Sequence, residues 1–155
     1  MDRIASFCVD HTVLMPGVYV SRIDGDVTTY DLRLVRPNCG GYLENAPIHT
    51  IEHLFATYAR NCEYKDQVIY FGPMGCRTGF YFLTRSLDNG TVLQIIKDGF
   101  KFIAEFEGDI PGASAVECGN YLDHDLSAAK KIAAKYCKIL APLTADNMNY
   151  NANNG

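Results

Sequence analysis

Apolar and β-branched positions open the chain in two short runs, GVYVSRI and VTTYDLRLV, which the turn-forming DGD separates. Strand formers on either side of an Asp-Gly turn predict two antiparallel strands joined as a hairpin. QVIYFGP and GFYFLTR repeat the pattern around PMGCRT and predict two more strands. Between the two pairs the period changes. PIHTIEHLFATYARN keeps its apolar residues at helical intervals and carries Pro47 where a first helical turn tolerates it. Val92, Ile95, Ile96, Phe100, Ile103 and Phe106 recur at the same spacing, as do Leu126, Ala129, Ile132, Ala133, Tyr136 and Leu140. Two further amphipathic helices are expected there. Strands early, helices mostly late and no regular strand-helix-strand alternation predict an α+β fold, one domain whose antiparallel β-sheet packs against helices. The asparagine-rich NMNYNANNG lacks apolar periodicity, so the domain is drawn over residues 1–146, with 147–155 as a frayed tail that carries no chemistry.

Composition narrows the classes of function. With 155 residues, 48% hydrophobic and 21% charged, the chain suits a single globular domain. A net charge of -4 with scattered lysines and arginines offers no stripe that tracks a phosphate backbone, which sets nucleic acid and anionic membranes aside. No apolar run nears the roughly 20 residues of a membrane span. The start MDRIASFCVDH has no long apolar core behind a basic segment, and a cytoplasmic location is expected. In a reducing compartment the cysteines Cys8, Cys39, Cys62, Cys76, Cys118 and Cys137 are better candidates for burial, metal binding or catalysis than for three disulfides. The absence of a CxxC pair argues against a structural zinc knuckle.

The helix around HTIEH carries the clearest candidate chemistry. At about 100° per residue, His49 and His53 fall within roughly 40° of each other on the wheel. Ile51, Leu54, Phe55 and Tyr58 point to the opposite, core-facing side, and Glu52 sits on the flank of the histidine face, suitably placed for a general base. Two neutral imidazoles one turn apart chelate a divalent metal but supply only two ligands. A third has to come from elsewhere, and the candidates are the cysteines, His11 and His124. Cys118, in AVECGNY between two predicted helices, is the most plausible loop cysteine. Without a metal, the same residues would be two solvated surface histidines.

SFCVDH, YDLRL, HTIEH, PMGCRTGFY and ECGNYLDHDL occur in this order, and together they resemble the successive signatures of the LuxS family of S-ribosylhomocysteine lyases. The resemblance runs over nearly the whole chain. It implies a metal site of His49, His53 and Cys118 that holds Fe(II) and also accepts zinc or cobalt. It implies cleavage of S-ribosyl-L-homocysteine to L-homocysteine and 4,5-dihydroxy-2,3-pentanedione, the precursor of autoinducer-2, as part of the activated methyl cycle. At matching positions, Glu52 and Cys76 become the acid/base pair, and Ser6, His11 and Arg33 become substrate-binding residues. The family works as homodimers with active sites at the subunit interface.

A cysteine acts as a base only as its thiolate, which adjacent Arg77 would favour if its side chain turned inward. Outside the resemblance, Cys76 is a small hydrophobe in a turn and Arg33 a surface charge. Cys8, Cys39, Cys62 and Cys137 are assigned no chemistry, and His124, between Asp123 and Asp125, is read as a local hydrogen-bonding group rather than a fourth ligand. One position departs from the family pattern: Tyr70 stands where an aspartate is common, which puts one polar substrate contact in doubt. Two other classes compete. An inverted zinc peptidase shares HxxEH but wants a carboxylate ligand on a downstream helix, and Asp125 to Leu140 contains no glutamate. A non-catalytic metal-binding protein leaves PMGCRTG without a role.

Overall fold

The computed structural model describes residues 1–150. Four strands form one antiparallel sheet: β1 (Gly17–Asp24), β2 (Val27–Arg33), β3 (Val68–Pro73) and β4 (Gly79–Arg85), in the order β1-β2-β4-β3. Three helices, α1 (Asn45–Ala59), α2 (Asn89–Ala104) and α3 (Leu126–Leu140), complete the α+β domain that the patterning predicts. The β1–β2 hairpin turns at Gly25, whose φ of 62° takes the left-handed region as the first loop residue of a type II′ turn requires. Helices α2 and α3 begin at aspartates that cap them: Asp88 accepts from the Thr91 amide and Asp125 from the Ala128 amide.

The alternation of β2 decides what lies on each face of the sheet. Tyr30 and Leu32 point to the helices, where they join Val18, Phe80 and Phe82 from neighbouring strands in the core. Against these pack Ile51, Leu54 and Phe55 of α1, Ile96 and Phe100 of α2, and Ala133 and Tyr136 of α3. The Phe55 ring stacks on Phe71 at 4.2 Å and meets Phe82 edge-on at 5.1 Å, the geometries aromatic quadrupoles favour. A side chain at Gly99 would put its Cβ 2.6 Å from Phe55, so glycine is what lets α2 approach α1 this closely. Helix α2 ends at Ala104, two residues short of the predicted apolar stripe, and Phe106 instead folds back onto Phe102.

The second face carries Asp31 and Arg33, which are nonetheless only 1% and 2% exposed. Part of their cover comes from the segment expected to fray. Met148 is buried in the core, its carbonyl accepts from the Val20 amide at 2.8 Å, and Tyr150 stacks on Tyr19 with ring centroids 4.9 Å apart. Residues 147–150 are therefore anchored, because Met148 and Tyr150 supply apolar and aromatic area that asparagine counting overlooks. The rest of that segment, 151–155, lies outside the described residues.

Candidate metal centre

His49 and His53 leave α1 on one face, one turn apart, as the wheel predicts, and both are half-buried. Each is oriented by a main-chain oxygen of the loop between α2 and α3. His49 Nδ1 lies 2.8 Å from the Asp123 carbonyl, and His53 Nδ1 lies 2.8 Å from the Pro111 carbonyl. A carbonyl only accepts, so both Nδ1 atoms are the protonated ones and both Nε2 lone pairs are free for a ligand. Gly112 (φ 71°) passes so close that its Cβ would stand 3.3 Å from His53 Nδ1.

The free lone pairs converge on Cys118, which the turn after Ser114 holds by a hydrogen bond from the Cys118 amide to the Ser114 carbonyl. Its Sγ is 3.3 Å from His49 Nε2 and 3.8 Å from His53 Nε2. A tetrahedral ion with ordinary metal–sulfur and metal–nitrogen lengths separates such donors by about 3.6 Å, midway between the two distances. Two imidazoles and one thiol thus fit a divalent transition metal, with the remaining coordination position available to another ligand.

His124 belongs to the same cluster, the four donor atoms lying within 4.8 Å of one another. Its hydrogen bond is not the local one expected of a helix-start residue: Nδ1 lies 3.0 Å from Thr50 Oγ1, 74 positions away, and its ring stacks on His49 at 4.0 Å. Its Nε2 is buried without a hydrogen-bond partner. Burial first, and then the neighbouring His49 and His53, push its pKa below the ordinary value. Nothing in the sequence distinguishes this histidine from a helix-start residue; only the Thr50 contact folds it over His49.

The other candidates divide between two cavities. Glu52 and His53 line one of about 550 Å³ together with Arg60, Tyr70 and Gly112. Ser6, His11, Arg33 and Cys76 line another of about 400 Å³, with Phe7, Tyr42 and Tyr81 among its walls. Tyr70 therefore borders the cavity of Glu52, its phenol laid over Gly72, where a Cβ would stand 2.1 Å from the hydroxyl oxygen.

Cys76 has the cationic neighbour that its proposed chemistry needs, but from another residue than expected. Arg77 turns away, its guanidinium over the Tyr42 ring and bonded to the Leu43 carbonyl. Arg33 reaches instead, with Nη1 2.8 Å from Thr78 Oγ1 and 4.0 Å from Cys76 Sγ. The surface charge it would be without the resemblance is thus a buried one. Burial is the largest single influence and opposes its charge, yet Asp31, with smaller contributions from Cys76 and Tyr150, leaves the Arg33 pKa above its ordinary value.

Comparison with known proteins agrees in extent with this arrangement. The family model described as S-Ribosylhomocysteinase (LuxS) matches residues 4–145. A protein of Clostridium beijerinckii named S-ribosylhomocysteine lyase is 50% identical over 97% of the chain and 99% of its own length. Lyases of the same name from Clostridium acetobutylicum and Borreliella burgdorferi are 46% and 45% identical, each over 97% of the chain and 99% of its own length.

Proposed function

The chain belongs to the S-ribosylhomocysteinase (LuxS) family, and from that we propose that it cleaves the thioether of S-ribosyl-L-homocysteine, releasing L-homocysteine and 4,5-dihydroxy-2,3-pentanedione. The observation that carries the reading is the convergence of Cys118 Sγ on His49 Nε2 and His53 Nε2. A thiol as third donor also separates this site from the inverted zinc peptidases, which use a carboxylate there.

A thioether on a sugar has no adjacent carbonyl to acidify the proton that elimination must remove. The carbonyl therefore migrates along the sugar by successive proton transfers, after which β-elimination expels homocysteine. Fe(II), with zinc or cobalt as substitutes, is the ion we assign to His49, His53 and Cys118, where it supplies Lewis-acid stabilisation to sugar oxygens. Glu52, on the flank of the histidine face, takes and returns protons on one side of the sugar. Cys76 does so on the other, where Arg33 and Thr78 hold its sulfur. Ser6, His11 and Arg33 bind polar groups of the substrate, and Tyr70 offers a phenol where the family pattern commonly has an aspartate.

Within one chain Glu52 and Cys76 line different cavities, and we assign their meeting to a homodimer in which each active site draws on both subunits. The cavity of Cys76 exposes Phe7 and Tyr42 at its walls, and Ile4, Val13 and Met15 beside it in sequence are exposed as well. That is apolar surface for a second copy to cover. No helix among the described residues is long and apolar enough to cross a membrane, and the reading assigns the enzyme to the cytoplasm.

The test is incubation of the metal-loaded protein with S-ribosyl-L-homocysteine while free thiol is titrated. One thiol should appear per substrate consumed. A protein that retains metal and fold yet releases none would overturn the proposal.

A further inference from the structure

We propose that Tyr150 and Asp31 are positioning residues for Cys76, clamping the Arg33 guanidinium so that its remaining nitrogen is presented to the cysteine through Thr78. The inference deepens the assignment of Cys76 as a proton carrier and rests on that reading only for its consequence.

The clamp is built across the sheet. In the strand register Gly17 and Gly79 flank Arg33 on both sides, while Tyr19 and Tyr81 flank Asp31. With glycine as its partner on both neighbouring strands, the guanidinium has a slot in which Asp31 is its bidentate partner: Nε to Oδ1 at 3.2 Å and Nη2 to Oδ2 at 2.7 Å. A planar fork held at two points fixes the direction of its third nitrogen. That nitrogen, Nη1, donates to Thr78 Oγ1 at 2.8 Å, and Thr78 Oγ1 is 3.1 Å from Cys76 Sγ. Since the hydroxyl oxygen already accepts from Arg33, its own hydrogen is available to the sulfur.

Tyr150 acts on the far side of the pair. Its hydroxyl donates to Asp31 Oδ2 at 2.7 Å, the same oxygen that accepts from Arg33 Nη2. This donation holds the carboxylate in the plane of the guanidinium and takes up part of its negative charge. Less of the Arg33 charge is then spent on Asp31, and more faces the thiol. Stacking on Tyr19 fixes the phenol. Other titratable groups around the sulfur are His11 and Tyr81, which line the same cavity; neither touches Tyr150 or Asp31 by a hydrogen bond that would replace the clamp.

The experiment measures alkylation of individual cysteines by iodoacetamide in the full chain without substrate, with peptide mapping. It compares the parent with Tyr150→Phe, which keeps the ring stack and removes only the hydroxyl. Cys76 should react roughly threefold to tenfold more slowly at neutral pH, the factor that one hydrogen bond is worth. The deficit should close under alkaline conditions that ionise every thiol. Half-buried Cys62, in a different cavity, serves as the reference and should be unchanged. A merely structural role for Tyr150 loosens the fold and speeds both cysteines. Unchanged or faster Cys76 alkylation, or slowing shared equally by Cys62, overturns the proposal. Lyase activity is not read, so a failure of the proposed reaction would show separately, as absent thiol release from the parent protein.

Discussion

His49 Nε2 stands 3.3 Å from the sulfur of Cys118, although 69 residues separate them in the chain. Neither residue explains the other in sequence. The contact exists because Asp123 and Pro111, in the loop between α2 and α3, accept hydrogen bonds from the far nitrogens of the two helix histidines.

From this follows a first expectation, that His49, His53 and Cys118 bind one divalent metal per chain. His53→Ala should lose most of the metal found by elemental analysis. Full occupancy in that variant would remove His53 from the coordination sphere. The soft donor and the air sensitivity of Fe(II) also predict that aerobic preparations lose activity and that cobalt restores it.

Proton transfer should separate from metal binding. Glu52→Gln and Cys76→Ala should each keep a full metal complement while turnover falls by at least about 10² to 10⁴. Mixing and re-equilibrating the two inactive variants should then recover activity, because a mixed dimer contains one site with both groups intact. No recovery, with exchange of subunits verified, would place Glu52 and Cys76 in the same chain's site.

Arg33→Ala is expected to cost both function and stability. It strands Asp31, 1% exposed, without its cation. Breaking a buried pair in this way costs about 3 to 5 kcal/mol. Chemical denaturation of Arg33→Ala should show that loss, and a variant as stable as the parent would refute the account of the pair.

The cap of α2 gives a pH-dependent expectation. The Thr91 amide and hydroxyl bond to Asp88 and hold its carboxyl below the ordinary 3.8. A folded-state value lower than the unfolded one contributes stability above the unfolded value, and that contribution disappears as pH falls through the folded value. Asp88→Ala should melt a few degrees lower near neutral pH. The gap to the parent should narrow as melts are repeated at pH values below 3.8; a gap independent of pH would deny the charge any part.

What the sequence could reveal tracks the range of the interaction. Helical and alternating periods are local, so the four strands, the three helices and the shared face of His49 and His53 were legible from them. The thiol partner was not, since a spacing of 65 or 69 residues says nothing about proximity; there the family signatures supplied Cys118. Arg33 was ambiguous because alternation assigns it to a face without saying what covers that face. Its burial depends on the glycines opposite it on both neighbouring strands and on Tyr150, 119 residues from Asp31. The arginine beside Cys76 in sequence was the wrong one for a backbone reason. Arg77 sits at a positive φ of 60°, which swings its side chain towards Tyr42.

The two carbonyl latches on the histidines close rings of chain 58 and 74 residues around. In a flexible polymer the entropy of closing a ring grows only with the logarithm of its size, so doubling a loop costs about 0.6 kcal/mol more. Once the shorter ring has closed, the longer one shares most of its contour and adds only a short remaining segment. That segment contains Cys118. The two latches are thus coupled in entropy: with either one closed, the other costs little more than fixing the short segment that carries Cys118.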